Sequence, residues 1–248
     1  MPAETIQPQP REMLDPNLGR TMLAFIRQRT GLLQWFDSKR NCINNGSLFF
    51  VRTGQASFAV TARHVYEAFE ETAAKGPVVA QVNNQRLNLL SRLISKGRDV
   101  DIATFEILPH EMDWAGIQPV PWPPHMPAEG NTVLFGGYPG IGKRLTGPKE
   151  ITWGIHHGAT RVDGFNDRDI SMVTLPDDEM IDLIGKGLPP RNIDVGGMSG
   201  GPVITPFREV SGESTYSLSG VIYECQPSLE IIKAARADVI DDHGLVQR

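Results

Sequence analysis

The chain has little cysteine. Cys42 and Cys225 are its only two. They allow one disulfide at most, and their separation matches no metal-binding spacing. Both are expected to be buried small hydrophobes, and the chain is expected in a reducing, cytoplasmic compartment. Positive charge is also short. Lys and Arg number 24 against 29 Asp and Glu, for a formal net charge of -5 and a pI near 5.7. That balance excludes the clustered basic face that nucleic acid requires and the basic amphipathic segment suited to an anionic membrane. No apolar run reaches the ~18 residues of a membrane-spanning helix. The opening residues, MPAETIQPQPREMLDPNLGR, lack the basic-then-apolar order of a secretory signal. Signals for bound groups are missing too. His156 and His157 are adjacent, and neighbours on a strand point to opposite faces. The stretch Gly136-Gly137-Tyr138-Pro139-Gly140 lacks the GK[ST] ending of a phosphate loop. The expectation is no cofactor, no metal, no nucleic acid and no membrane.

What is present reads as a globular chain, 40% hydrophobic and 21% charged among 248 residues. Residues 1–17 are rich in Pro, Gln and Glu and are expected to be a disordered tail. Residues 21–28 (TMLAFIRQ) suit a helix or a strand, and periodicity does not decide between them. From residue 46 the pattern turns to strands. GSLFFV at 46–51 and SFAVT at 57–61 flank the turn signal Thr53-Gly54-Gln55 and read as a β-hairpin. Residues 64–73 have helical spacing, with Val65, Ala68 and Phe69 on one face. Strands are expected at 78–82, 86–90 and 101–107. Six prolines crowd residues 108–130 (Pro109, Pro119, Pro121, Pro123, Pro124 and Pro127), too many missing donors for a packed sheet. This stretch is read as a linker. Strands resume at 131–135, 150–153, 170–174, 202–205 and 216–223. LEIIKAARADVI, at 229–240, is expected to be a C-terminal helix. Many short strands with frequent turn signals indicate an all-β sandwich or barrel. The reading is one domain over 18–240, with a first half at about 40–107, the linker at 108–130, a second half at 131–225 and the helix at 229–240.

Three segments carry chemistry. The first is Gly196-Gly197-Met198-Ser199-Gly200-Gly201-Pro202. Acyl transfer needs an exposed hydroxyl and backbone N–H groups aimed at a developing oxyanion, and glycine permits the tight dihedrals that achieve this. The second is Thr61-Ala62-Arg63-His64-Val65, where a histidine follows an apolar strand and opens a helix. The third is Asp99-Val100-Asp101-Ile102-Ala103, an acid before an apolar strand. The histidine and the acid are weak evidence alone, and the serine segment is the most specific of the three. Together they supply a nucleophile, a base for its proton and a group to fix the base's tautomer. His and Asp precede the Pro-rich linker and Ser follows it, which places the three in a cleft between two halves.

These segments resemble the signatures of trypsin-like (chymotrypsin-fold) serine peptidases. TARHV resembles the family's histidine block, DIA its aspartate block and GMSGGPV its serine block. GSLFF, VLFGGYPG and LSGVIY resemble, in turn, the strand before the histidine hairpin, the opening of the second barrel and the strand alongside bound substrate. The resemblance spans about residues 46–240. It implies two six-stranded antiparallel β-barrels with the site between them. It implies Ser199 as nucleophile, His64 as acid–base, Asp101 accepting from the other imidazole nitrogen, and an oxyanion hole from the N–H groups of Gly197 and Ser199. Asp101 is preferred to Asp99 because it directly precedes the Ile-Ala pair.

The chain also departs from the animal digestive members. Met198 stands where they carry an aspartate that pairs with a freed N-terminus, and Val65 where they carry a cysteine. Activation through that ion pair is therefore not available, and the pattern is nearer to bacterial and intracellular relatives. By motif position, Ile193, Asp194, Tyr223 and Glu224 are expected at the substrate pocket, with Tyr223, Glu224 and Cys225 forming or following the substrate-pairing strand. Two functions are carried forward. One is a serine endopeptidase acting through an acyl-enzyme at Ser199 on a protein or peptide substrate, with an activating protein partner allowed. The other is a latent or inactive peptidase-fold module that binds a peptide or protein.

Overall fold

The computed structural model of the protein describes residues 5–6, 16–39, 41–147, 150–173, 182, 195–209, 214–226 and 231–247. Helix α1 (Pro16–Arg29) settles the open choice over residues 21–28. A seven-stranded antiparallel sheet follows in the order β6-β5-β2-β3-β4-β8-β7. Its strands are β2 (Gly31–Asp37), β3 (Cys42–Arg52), β4 (Ser57–Thr61), β5 (Val78–Val82), β6 (Gln85–Leu87), β7 (Leu93–Lys96) and β8 (Ala103–Glu106). Strands β3 and β4 form the expected hairpin, Phe49 opposite Val60 and Phe50 opposite Ala59. At its turn the Thr53 hydroxyl accepts from the Gln55 and Ala56 N–H groups. Helix α2 (Arg63–Lys75) leaves the end of β4 and buries Val65, Tyr66 and Phe69. The short helix α3 (Pro109–Ala115) opens the linker.

The second half is a closed barrel. Strands β9 (Thr132–Gly137), β12 (His156–Phe165), β13 (Asp169–Val173), β16 (Ile231–Arg236), β15 (Ser214–Gln226) and β14 (Pro202–Glu209) pair in that circular order. Val203 and Ile204 of β14 return to Phe135 and Leu134 of β9 and close the ring. A separate hairpin, β10 (Lys143–Gly147) with β11 (Glu150–Trp153), rises beside it. At the other end of the chain, β1 (Thr5–Ile6) pairs with β14, Thr5 opposite Glu209 and Ile6 opposite Arg208.

The all-β, two-lobed architecture matches the expectation, with two differences. The first half has seven strands rather than six and curls without closing, because β6 and β7 stay at its two edges. Leu89, from the chain between them, is buried in the core instead. The second difference is the C-terminal helix expected over 229–240. Residues 231–236 are strand β16, followed by a single 3-10 turn over Ala237–Val239. The residues IIKAAR satisfy a helix locally, but the barrel offers them two antiparallel neighbours, β13 and β15. Tertiary pairing overrides propensity here, and the alternation sends Ile232 and Ala234 into the barrel core.

Three apolar clusters account for the packing. One fills the first half around Trp35, Phe50, Tyr66 and Phe105. One fills the barrel around Val133, Met172, Met198 and Ile222. The third lies between the halves and joins Phe49, Val51, Phe58 and Ile102 to Leu134, Ile204, Leu218 and Val221. Helix α1 adds Met22 and Ile26 to this middle layer. The linker is hydrogen-bonded to both halves, from Val120 N–H to the Phe50 carbonyl and from His125 N–H to the Leu218 carbonyl. The C-terminal residues return to the first half, where the Thr104 hydroxyl donates to the Gly244 carbonyl at 2.6 Å. The halves are thus held in one register before any ligand arrives. Among the described residues no helix is long and apolar enough to cross a membrane.

Candidate active site

His64 lies in the first turn of α2, directly after β4. Asp101 lies in the turn before β8, and β8 pairs with β4, Thr61 opposite Ala103. The two residues therefore meet at one end of one strand pair. Asp101 Oδ2 is 2.6 Å from His64 Nδ1, and Oδ1 accepts the His64 backbone N–H at 2.9 Å. Arg63 donates to the carbonyls of Gly97 and Arg98, each at 2.7 Å, and so ties down the loop that carries Asp101. Asp101, not the exposed Asp99, reaches the imidazole. The Asp101 side chain is 19% exposed and that of His64 is 49% exposed. Asp101 is largely enclosed, whereas the His64 ring is half-exposed.

Burial works against the Asp101 charge. The hydrogen bond and charge of the His64 ring, the His64 backbone N–H and the Arg63 guanidinium outweigh it and hold the carboxyl below its ordinary range. A carboxyl lowered on folding contributes stability above its unfolded pKa of about 3.9, and that stability is lost as pH falls through the lower folded value. Acid-side thermal melting tests this. Between about pH 5 and pH 2, Asp101→Asn is expected to lose less melting temperature than wild type. Parallel loss in both proteins would show that Asp101 has no part in the acid transition.

Ser199 comes from the other half, on the loop that enters β14. Its carbonyl accepts the Ser47 N–H at 2.8 Å, and its hydroxyl donates to the Tyr223 carbonyl at 3.2 Å. Directly after Ser199 the loop is locked to β15. Gly200 N–H donates to the Ile222 carbonyl at 2.7 Å, and Gly201 accepts from Ile222 N–H at 2.8 Å. Met198 is 1% exposed and buried in the barrel core. A Cβ on Gly137 would fall 2.8 Å from the Met198 Cα. The loop is anchored by an apolar plug, the Met198 side chain.

The peptides before Ser199 have a defined orientation. Met198 N–H donates to the Val195 carbonyl at 3.1 Å, and Gly197 has φ +99°. That is the third residue of a type II turn, a position that glycine fills without strain. The Gly196 carbonyl accepts the Gly140 N–H at 2.6 Å. A trans peptide points its C=O and N–H in opposite directions, so the Gly197 N–H faces away from Gly140. Among the described residues, neither the Gly197 nor the Ser199 N–H has a protein acceptor.

The expected pocket residues fare unevenly. Ile193 and Asp194 lie outside the described residues. Tyr223 is on β15 and packs against both the first-half core and the middle layer. Burial pushes its phenol up, and the carboxylates of Asp169, Glu224 and Asp101 add to that. Glu224 accepts from the Gln226 amide and is engaged by Lys233 at 3.1 Å, which together hold its carboxyl down. Its charge is therefore met within the barrel. Cys42 and Cys225 are unpaired and half-buried, and burial pushes the Cys225 thiol up to about 12. Among the described residues no group of three or more His, Cys, Asp or Glu is placed to hold a metal ion. The residue missed from sequence is Ser47. It bonds to both the Gly197 and Ser199 carbonyls, and nothing in a strand reading of GSLFFV marks it.

No family model matches the chain, and no curated protein matches it in sequence. Solved structures do match in chain path. A serine endoprotease from Yersinia pestis has 14% identity and a TM-score of 0.47, over 85% of this chain and 60% of that one. This chain thus spans under two thirds of its length. The Rv3671c protease of M. tuberculosis, in its active form, has 13% identity and a TM-score of 0.43 over 96% and 88% of the two chains. The serine protease domain of the Sesbania mosaic virus polyprotein has 11% identity and a TM-score of 0.45 over 83% and 87%.

Proposed function

We propose that the chain is a serine endopeptidase that cleaves peptide bonds through an acyl-enzyme at Ser199. The observation that carries this reading is the double grip of Asp101 on His64, at the ring Nδ1 and the backbone N–H together. With the Nδ1 proton held by the carboxylate, Nε2 is left as the basic nitrogen. His64 Nε2 takes the Ser199 hydroxyl proton as Oγ bonds to the scissile carbonyl carbon. The carbonyl oxygen becomes an oxyanion and is met by the unoccupied N–H groups of Gly197 and Ser199. Collapse breaks the C–N bond, and His64 returns the proton to the leaving amine. Water, deprotonated by the same nitrogen, then releases the acyl group.

The Ser199 hydroxyl rests on the Tyr223 carbonyl. In this reading the same carbonyl lies on the strand that pairs with the substrate backbone. A substrate N–H that takes that carbonyl displaces the hydroxyl, which turns about χ1 to His64. The substrate is a protein or peptide in extended conformation, since strand pairing is the means of binding.

The resting hydroxyl also favours a second reading, a latent module that binds a polypeptide without turnover. Fluorophosphonate labelling separates the two. Wild type is expected to label covalently, and Ser199→Ala is expected not to label. A folded wild type that takes no label would sink the peptidase reading in favour of the latent one.

A further inference from the structure

Ser47 is fully buried at the junction of the two halves. Its backbone and side chain make four hydrogen bonds. Its N–H donates to the Ser199 carbonyl at 2.8 Å. Its carbonyl accepts the Thr61 hydroxyl at 2.6 Å. Its own hydroxyl donates to the Gly197 carbonyl and accepts the Tyr138 N–H, each at 2.8 Å. The hydroxyl has one proton to give, and it is committed to Gly197. Asn45, two residues earlier on β3, donates from Nδ2 to the Tyr138 carbonyl at 2.7 Å. The Tyr138 backbone is thus gripped at both its N–H and its C=O. Tyr138 leads through Pro139 to Gly140, whose N–H holds the Gly196 carbonyl.

Three carbonyls in this loop are therefore fixed from outside it. Those of Gly197 and Ser199 are fixed directly by Ser47, and that of Gly196 is fixed by a segment that Ser47 and Asn45 hold. Fixing a carbonyl fixes the N–H of the same peptide plane: the Gly196 carbonyl sets the Gly197 N–H, and the Gly197 and Ser199 carbonyls hold the peptides on either side of the one that bears the Ser199 N–H. We propose that Ser47 is a positioning residue for the oxyanion hole, whose hydroxyl sets the Gly197 turn so that the Gly197 and Ser199 N–H groups converge on one point. This rests on the peptidase reading above. Removal of the hydroxyl leaves the Gly197 carbonyl and the Tyr138 N–H without their partner, and the turn loses the restraint between the two donors. Ground-state binding along β15 does not pass through Ser47, so the loss falls on the charged transition state.

The test is the rate of phosphonylation by a fluorophosphonate, resolved into the maximal rate and the half-saturating concentration. Wild type is compared with Ser47→Ala and with Ser47→Cys, which keeps the volume but donates weakly. In both variants the maximal rate is expected to fall about 10- to 100-fold, with the half-saturating concentration unchanged within about twofold. Ser47→Thr, which restores a hydroxyl, is expected to recover part of the rate. Circular dichroism and melting accompany each variant. Equal maximal rates in wild type and folded Ser47→Ala would overturn the proposal and leave the peptidase reading standing. So would a loss confined to the half-saturating concentration, or failure of both variants to fold, which would make Ser47 a folding residue only. A folded wild type that takes no label would overturn both the proposal and the reading beneath it.

Discussion

Asp101→Asn is expected to lower the maximal rate of serine acylation by about 10,000-fold while the protein stays folded. The carboxylate accepts twice from His64, through Oδ2 at the ring and Oδ1 at the backbone. An amide in its place has one oxygen to accept with. If that oxygen keeps the backbone N–H, the NH2 group faces Nδ1 and can only donate. The imidazole then carries its proton on Nε2, the nitrogen that must be empty to receive the Ser199 proton. The backbone bond and the Arg63 ties to Gly97 and Arg98 remain, so the loop keeps its place. Single-turnover labelling against pH measures this. A residual rate within tenfold of wild type would remove Asp101 from the proposed machinery.

The second large effect concerns folding. Gly200 has φ +91°. A Cβ placed there would lie 2.0 Å from the Ser47 carbonyl oxygen and 2.2 Å from the Thr61 hydroxyl oxygen. The nearest obstacle is backbone, and it belongs to β3, which pairs with β2 and β4. Neither partner can yield without opening the sheet of the first half. Gly200→Ala is therefore expected to cost about 4 kcal/mol or more, from steric conflict and the left-handed backbone together. That is a lowering of the melting temperature by about 10 °C or more for a chain of this size. A Gly200→Ala protein that melts within about 2 °C of wild type would show that the two halves meet differently from the arrangement described here.

How much of this was legible beforehand depends on the range of the interactions involved. The β3–β4 hairpin and α2 are local, and their turn and helical spacing stand in the sequence. The His64 and Ser199 segments are legible for the same reason, since each compresses its backbone demands into a few consecutive residues. Strand β12 was not seen. It buries Thr160 and Val162 but carries Gly158, Gly164, Arg161 and Asp163 between and around them. Its pairing with β9 and β13, not an apolar alternation, makes it a strand. Strand β16 was misread because the local preference of IIKAAR opposes the neighbours that the barrel supplies. Ser47 was invisible as a site residue because its partner Gly197 is 150 residues away. The fate of a serine hydroxyl at that separation is decided only when the two halves close. The tie between Glu224 and Lys233 was not legible because Lys233 reaches it from β16, a strand read as helix.

The apolar plug beneath Ser199 has a consequence at high pH. Where such a loop is held by an ion pair to an α-amine, the tie dissolves as the amine deprotonates near pH 8, and activity decays with it. Met198 carries no titratable proton and is buried in the apolar barrel core. Alkalinity does not loosen this anchor, so the basic limb of the rate profile is left to other groups. Oxidation is the perturbation that would reach it. A sulfoxide at Met198 would place a polar oxygen among Val133, Phe135 and Val203, and the Ser199 loop would lose its footing from below.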